Sequence, residues 1–328
     1  MLQILFHIHL FGRDIPVYGY GLMLVVAFLA CLKSSQFLAR RVGMNPDHFI
    51  DATLIGIAAG IVGARLCSVL ENFHEYIRPD RGISQIILSI FDTREGGLTF
   101  YGGFLLATPC VIAYGLFRRA KILLGMDVIA PVLMIGLGVG RIGCFLNGCC
   151  YGEQCTLPWA VRFPYYSNAY LDQNGSGAIS VPPELQKQGN PLNPDLPPIA
   201  GNARLAALAA SSSALPVHPT ELYSSFTAFL LAALLIAYLG LPHIDGRVFA
   251  LMLMLEGLAR YILEMIRVEP SVLKLHWHGQ IFGFSISMIL GALVFFAGIV
   301  MWNVLGIASQ SPDGPGRQAH LAQSADLG

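Results

Sequence analysis

Four charged residues lie in one apolar stretch late in the chain, at a spacing that would place them on one side of a helix. Glu256, Arg260, Glu264 and Arg267 are separated by 4, 4 and 3 positions. Opposite charges so spaced can neutralise one another, and a salt-bridge ladder that only joins helices is one interpretation. Facing a cavity, the same stripe would present guanidinium groups, which match phosphate oxygens in a bidentate manner.

A further arginine, Arg141, lies in a second apolar stretch among Gly136, Gly138, Gly140 and Gly143. An arginine near the centre of a membrane helix costs about 2.5–3.5 kcal/mol, so it is usually compensated by a ligand, an acidic partner or water. The alternative is a side chain that reaches from the helix end to the interface. Glycines let a helix or a lipid headgroup approach the backbone closely, which favours binding of a phosphodiester by Arg141 together with Arg260.

The seven cysteines fall into two groups. Thiolate zinc sites are usually built from paired C-x-x-C arms, which the clustered group lacks, and in an oxidising compartment a disulfide is the more common fate. Disulfide, inert thiols and, last, a metal site stay open; we predict no metal. The isolated residues are Cys31, Cys67 and Cys110, and the clustered ones are Cys144, Cys149, Cys150 and Cys155.

The elements that carry these residues are predicted to be membrane helices. Hydrophobic residues make up 55% of the 328 positions and charged residues 12%, more apolar surface than a soluble core of this size can hide. Zero net charge and the lack of a long basic run exclude nucleic-acid binding. A membrane helix needs about 20 apolar residues, which predicts an all-α integral membrane protein with about seven spans. They are 17–37, 49–70, 97–117, 125–148, 221–241, 247–266 and 279–302.

Basic residues follow the first, third and fifth predicted spans, so the positive-inside rule places the N-terminus outside and the C-terminus in the cytoplasm. The predicted organisation has four parts. Residues 1–148 hold an interfacial lead-in, not a cleaved signal peptide, and spans one to four. Residues 149–220 form an extracytoplasmic loop or small head domain, and residues 221–306 the last three spans. Residues 307–328 form a disordered cytoplasmic tail.

Five motifs, in this order, resemble those of the phosphatidylglycerol–prolipoprotein diacylglyceryl transferases, a family of bacterial inner-membrane enzymes. They are Tyr-Gly-Leu-Met (20–23), Gly-Gly-Leu-Thr-Phe-Tyr-Gly-Gly (96–103), Gly-Arg-Ile-Gly-Cys-Phe-Leu-Asn-Gly (140–148), His-Pro-Thr-Glu-Leu-Tyr (218–223) and Gly-Leu-Ala-Arg-Tyr-Ile-Leu-Glu-Met-Ile-Arg (257–267). The resemblance implies transfer of a diacylglyceryl group to the lipobox cysteine of a prolipoprotein, which forms a thioether and releases glycerol phosphate. Its implied partners are phosphatidylglycerol, the prolipoprotein signal peptide and membrane lipids, and it implies no cofactor.

The resemblance also implies roles for individual residues. It places Arg141, Arg260, Tyr101 and Glu264 in catalysis. The residues implied to bind phosphatidylglycerol are Arg141, Arg260, Tyr20, Gly140, Asn147, Arg267, His218 and Glu221.

Several positions depart from the family's pattern. Tyr101 stands where the family has a His proposed as base, and a phenol titrates near 10 against about 6.5 for imidazole. Tyr101 is therefore expected to orient substrate, with His218 or Glu221 as substitute proton acceptors. The other departures are Cys144 for Asn, Cys149 for an acidic residue, Glu256 for Tyr and Ser224 for Glu. They leave two alternatives, a lipid transporter or flippase and a paralogue that binds precursors without turnover.

Overall fold

The structure, a computed structural model, describes residues 4–10, 13–73, 100–186, 203–267, 273–277 and 280–310, without the side chains of residues 4–17, 100, 101, 186, 273–284 and 310. Helices dominate it. They are α1 (Gly19–Arg41), α2 (Asp47–Glu71), α3 (Phe100–Phe117), α4 (Ile122–Asn147), α5 (Asn168–Gly175), α6 (Pro183–Gln186), α7 (Ala203–Ser211), α8 (Thr220–Leu239), α9 (Arg247–Glu264) and α10 (Ile286–Gln310).

Five helices in the described part of the chain are long and apolar enough to cross a membrane, namely α1, α2, α4, α8 and α10. Many of their large apolar side chains are exposed, for example Leu54 at 60%, Phe226 at 72% and Leu293 at 60%. A helix satisfies its backbone hydrogen bonds internally, so it can place such side chains in lipid. The prediction of a helical integral membrane protein is confirmed.

The other two predicted spans coincide with helices that do not meet this standard. The part of α3 whose side chains are described, Gly102–Phe117, is apolar but shorter than the five helices above. Helix α9 has 18 residues and carries Glu256, Arg260 and Glu264 within its apolar sequence. The count of seven crossings therefore stays a prediction.

Two short antiparallel strand pairs lie among the described residues and were not predicted. Strand β1 (Ile4–Leu10) pairs with β2 (Arg13–Tyr18), and β3 (Leu273–Trp277) pairs with β4 (Gln280–Phe284). The first and last predicted spans consequently begin late, at α1 and α10. Isoleucine, phenylalanine and other strand-favouring residues in these stretches are as apolar as a helix, and hydropathy alone does not separate the two. Helix α10 also continues to Gln310, past the predicted start of the tail at 307, and residues 311–328 lie outside the described ones.

The chain divides into two compact units, with boundaries inside α1 and α4. In the unit of residues 32–129, α2 and α3 approach so closely at Gly63 and Gly102 that neither has room for a Cβ atom. The Tyr114 hydroxyl of α3 also donates a 2.6 Å hydrogen bond to Asp51 of α2.

In the unit of residues 1–31 and 130–328, α9 and α10 pack backbone against backbone. A Cβ atom added to Gly257 would lie 2.6 Å from the Gly291 carbonyl oxygen and 2.7 Å from the Phe295 nitrogen. Glycines at such contacts let helices approach without intervening side chains. The position of α9 is thus set closely by α10.

Described residues of the stretches 151–186 and 203–217 pack with Phe145 of α4 around a small hydrophobic core within this unit. Its fully or nearly fully buried members are Phe163, Ala169, Tyr170, Ala214 and Val217. A hydrogen bond of 2.6 Å from the Tyr151 hydroxyl to Asp172 joins the start of the first stretch to α5. That residues 149–220 form an extracytoplasmic loop or small head domain stays a prediction.

Candidate active site

A small cavity of about 20 Å³ lies where the end of α4, the turn after it, the start of α8 and the end of α9 meet. Its polar lining is dominated by arginine. The lining residues are Arg141, Cys150, Thr220, Ser224, Arg260, Leu263, Glu264 and Arg267. The structure therefore brings together all four of Arg141, Arg260, Glu264 and Arg267, which the sequence placed in the site from two separate stretches.

Glu264 is the anion among these groups, and its side chain is only 2% exposed. Arg267 Nη1 lies 3.3 Å from Glu264 Oε2, and Arg260 Nε lies 4.0 Å from the same oxygen. A buried carboxylate is tolerated when such partners compensate its lost hydration. Three guanidinium groups against one carboxylate leave the cavity lining with an excess of positive charge, which suits an anionic ligand.

Arg267 reaches the cavity from beyond the helix. Helix α9 ends at Glu264, and Arg267 is held by an isolated bridge to Gly152. The Glu153 amide donates to the Ile266 carbonyl at 3.0 Å, and the Gly152 amide donates to the His218 carbonyl at 2.9 Å. These bonds tie the segments before α8 and after α9 to one short stretch.

Glu256, the first member of the predicted stripe, lies in a second cavity. That cavity also contains Arg260, whose Nη2 donates to the Ser287 hydroxyl at 3.2 Å. The stripe is therefore split: Arg260 lines both cavities, and Glu256 and Glu264 lie in different ones. Arg260 and Arg267 each pair with Glu264 at the spacing expected of a ladder, and Arg260 also contacts Ser287 of α10.

The turn after α4 adopts unusual backbone angles. Gly148 has φ +70° and Cys150 has φ +66°, a region that glycine adopts easily and other residues rarely do. The Thr220 hydroxyl holds the turn by donating 2.8 Å to the Cys150 carbonyl. Hydrogen bonds from the thiols of Cys144 and Cys149, and then the charges of Arg267 and Arg141, hold the pKa of Cys150 below its ordinary value.

Glu221, in the first turn of α8, is fully buried. Neither carboxylate oxygen has a hydrogen-bond partner in another described residue. Burying such a group without a hydrogen bond is costly, although the positive end of a helix offsets part of the cost. Its electrostatic neighbours include Cys150, Arg141 and Arg267, so it belongs to the surroundings of the cavity.

Tyr20, Gly140, Asn147 and His218 are not among the described residues that line the cavity. Tyr20 is 40% exposed and borders Gly143, where an added Cβ would lie 3.3 Å from its Cδ2. A Cβ added to Gly140 would face open space. Asn147 is half-buried as the last residue of α4. The side chain of Tyr101 lies outside the described residues.

His218 takes part in a polar group beside the cavity. Its Nδ1 lies 3.4 Å from the Tyr223 hydroxyl, which accepts a 2.7 Å hydrogen bond from Trp159 Nε1. His218 is thus linked through Tyr223 to Trp159.

Sequence reasoning did not assign Cys150, Thr220 and Leu263 to the site, and treated Ser224 only as a departure. Thr220 and Ser224 are four positions apart, one helical turn, and flank Glu221. That spacing was the available signal for the two hydroxyls. Cys150 reaches the cavity because its backbone adopts a left-handed conformation after α4. The spacing of residues in the sequence does not reveal that conformation.

Comparison with known proteins gives consistent matches. The family model described as prolipoprotein diacylglyceryl transferase matches residues 3–304. Three similar proteins each carry the name phosphatidylglycerol–prolipoprotein diacylglyceryl transferase. That of Clostridium tetani is 27% identical over 296 residues (90% of this chain, 95% of its own). That of Corynebacterium glutamicum is 27% identical over 304 residues (91% of this chain, 82% of its own). That of Paraburkholderia phytofirmans is 30% identical over 302 residues (88% of this chain, 90% of its own).

Proposed function

The chain belongs to the prolipoprotein diacylglyceryl transferase family, and from this premise we propose that its arginine-lined cavity transfers a diacylglyceryl group from phosphatidylglycerol to a prolipoprotein cysteine. The thiolate sulfur attacks the glyceryl carbon and forms a carbon–sulfur bond. The bond from that carbon to the phosphate oxygen breaks, and its electron pair leaves with glycerol phosphate. The convergence of Arg141, Arg260 and Arg267 on one cavity carries this proposal.

The arginines act on the charge that develops on the leaving phosphate. Donors placed in advance around such charge are typically worth about 10²–10³ in rate each. Arg141 and Arg260 grip the phosphate oxygens, while Glu264 holds Arg267 and Arg260 in place at 3.3 and 4.0 Å. Tyr20, Gly140, Asn147 and His218 belong to the surrounding binding region in this proposal, and Tyr101 orients the substrate.

Glu221 is our candidate to accept the thiol proton. It is buried, has no hydrogen-bond partner among the described side chains, and directly follows Thr220 of the cavity lining. A substrate thiol titrates near 8.5, so a carboxylate beside it can take the proton as the sulfur attacks. Arginine charge would stabilise the thiolate in parallel.

The proposal extends to placement in the cell. The enzyme resides in the bacterial inner membrane and crosses it seven times, with the N-terminus and residues 149–220 outside. The acceptor is the lipobox cysteine of the signal peptide. A transporter or a non-catalytic paralogue is not favoured, because the family model and the similar proteins carry the transferase name.

The direct test incubates purified protein with phosphatidylglycerol micelles and a lipobox peptide and follows the peptide mass. We expect a diacylglyceryl adduct on the cysteine with wild type. Arg141→Ala and Arg260→Ala should each lower the rate by about 100-fold or more. Arg162→Ala removes an exposed arginine and serves as the matched control. No adduct with wild type beside an active relative would contradict the proposal.

The role of Glu221 has its own readout. In Glu221→Gln the thiol must ionise unaided, and its thiolate fraction rises about tenfold per pH unit below 8.5. The variant should therefore lose most activity at pH 6 to 7 and recover as the pH rises towards 9, more steeply than wild type. Parallel pH profiles for the two proteins would exclude Glu221 as the acceptor and leave transfer itself untouched.

A further inference from the structure

Three cysteine thiols meet at the outer end of α4. The sulfur atoms of Cys144, Cys149 and Cys150 all lie within 4.8 Å of one another, and all three residues are half-buried. The thiols are free, as are those of the other four cysteines. Cys155, which the sequence places in the same cluster, is not part of this group.

The backbone builds this arrangement at a cost. The Cys149 amide donates to the Cys144 carbonyl at 3.2 Å, which closes the helix end. Cys150 follows at φ +66°, a conformation that costs a non-glycine residue roughly 1–3 kcal/mol. Thr220 anchors it from α8 through a 2.8 Å hydrogen bond to the Cys150 carbonyl. Strain maintained by such contacts points to a use for the thiol it positions.

The geometry points to a binding site for one soft, thiolate-preferring metal ion, such as Zn²⁺ or Cu⁺, held by Cys144, Cys149 and Cys150. Two sulfurs bound to one ion at about 2.3 Å each lie about 3.8–4.0 Å apart. Sulfurs already within 4.8 Å of one another reach that spacing by small side-chain rotations. Thiolate ligands select ions of this class over the hard ions that prefer oxygen.

The charge of the surroundings fits the same ion. Three thiolates and a divalent ion carry one net negative charge, and each thiol gives its proton to solvent on binding. Cys150 shares a cavity with Arg141 and Arg267, whose positive charge stabilises such a complex. The spacing of the cysteines did not predict this site, because Cys149 and Cys150 are adjacent and form no C-x-x-C arm.

The test uses purified, full-length protein that has been reduced, desalted without oxygen and titrated with Cd²⁺, whose bonds to thiolate absorb in the ultraviolet. We expect one equivalent to bind wild type and the Cys155→Ser control, and Zn²⁺ to displace it. The variant with Cys144→Ser, Cys149→Ser and Cys150→Ser should bind more than about 100-fold more weakly, since losing even an outer partner of a ligand costs 10–100-fold. X-ray absorption of Zn²⁺-loaded wild type should show about three sulfur ligands near 2.3 Å, which does not depend on folding of the variant.

Absence of the absorption band in reduced wild type would overturn the site. So would a band of equal strength in the triple variant, or Zn²⁺ bound mainly through nitrogen and oxygen. Because metal binding is the readout, its failure is separate from any failure of diacylglyceryl transfer.

Discussion

At the scale of single residues, Glu264 controls the charge of the cavity. Its carboxylate is shared by Arg260 and Arg267 and is almost fully shielded from solvent. Without it, two guanidinium groups would share a confined space with no anion between them. The residue therefore supports both stability and the placement of the arginines.

We expect Glu264→Gln to unfold more readily and to transfer slowly. Removing one partner of a buried ion pair lowers the free energy of unfolding by about 3–5 kcal/mol. We expect a loss at the lower end of this range, because the Arg260 side chain is 33% exposed. Thermal unfolding in detergent and the transfer assay measure the two effects.

The control is Glu184→Gln, which breaks a 2.8 Å pair with Arg204 between side chains that are 48% and 80% exposed. Exposed pairs are worth about 0–1 kcal/mol, so this variant should behave as wild type. Equal losses in both variants would contradict the role given to Glu264.

Sequence reasoning selected Arg141, Arg260 and Glu264 because charges are expensive in apolar stretches. The structure places all three in the lining of one cavity, and their roles stay predictions. Cys150 and Thr220 were not found, because a small residue's role depends on which distant segment it meets. Glu256 and Glu264 lie in different cavities because of where α9 ends and where α10 packs against it, which the sequence did not show.

At the scale of elements, Gly152 joins the segments that complete the site. A Cβ atom here would lie 2.7 Å from His218 Cβ, 2.7 Å from Thr220 Cγ2 and 2.9 Å from the Ile266 oxygen. These distances are shorter than real Cβ contacts allow, so a side chain would force the segments apart. Thr220 and Arg267 would then no longer keep their relative positions in the cavity lining.

Gly152→Ala should therefore reduce transfer by at least about tenfold, corresponding to about 1.4 kcal/mol of transition-state stabilisation. Glu153→Ala is the matched control, since Glu153 is exposed and contributes its backbone amide to Ile266, which alanine retains. Wild-type rates for Gly152→Ala would show that the segments can separate without harm.

The contact between α9 and α10 predicts a second effect. Gly257→Ala must displace backbone atoms of Gly291 and Phe295, and overpacking of this kind typically costs about 1–3 kcal/mol. Gly175→Ala places the same methyl group in open space and should leave the melting temperature unchanged. A Gly257→Ala protein as stable as wild type would contradict the close helix contact.

Helix positions were readable from the sequence, and strand positions were not. Apolar runs of sufficient length identified α1, α2, α4, α8 and α10, because lipid requires them. Strands β1, β2 and β4 are largely apolar too. The sequence analysis therefore placed β1 and most of β2 in the lead-in and β4 in the last span, while β3 lay between the last two predicted spans. Whether a short apolar segment forms a strand depends on a second segment that pairs with it. The hydropathy of one segment carries no information about that second segment.

At the scale of the whole molecule, apolar side chains remain exposed on several helices. Leu105 is 71% exposed, Phe296 60% and Val300 61%. Exposed apolar area of this extent requires lipid around it. The fold class followed from composition for the same reason.

The proposed orientation can be tested by labelling intact cells with a maleimide that does not cross membranes. Arg162→Cys, in the segment 149–220, should gain one label relative to wild type. Arg119→Cys, which follows α3, should gain none until the membrane is opened. Labelling of Arg119→Cys in intact cells, or protection of Arg162→Cys, would reverse the assigned sides.

Arg260 lines the cavity of Glu264 and also that of Glu256. Its single positive charge could fully neutralise only one added anion. An anion bound on one side weakens the attraction for a second on the other, and the two penalties are equal by thermodynamic linkage. Two anions, one in each cavity, would thus compete through this shared positive charge.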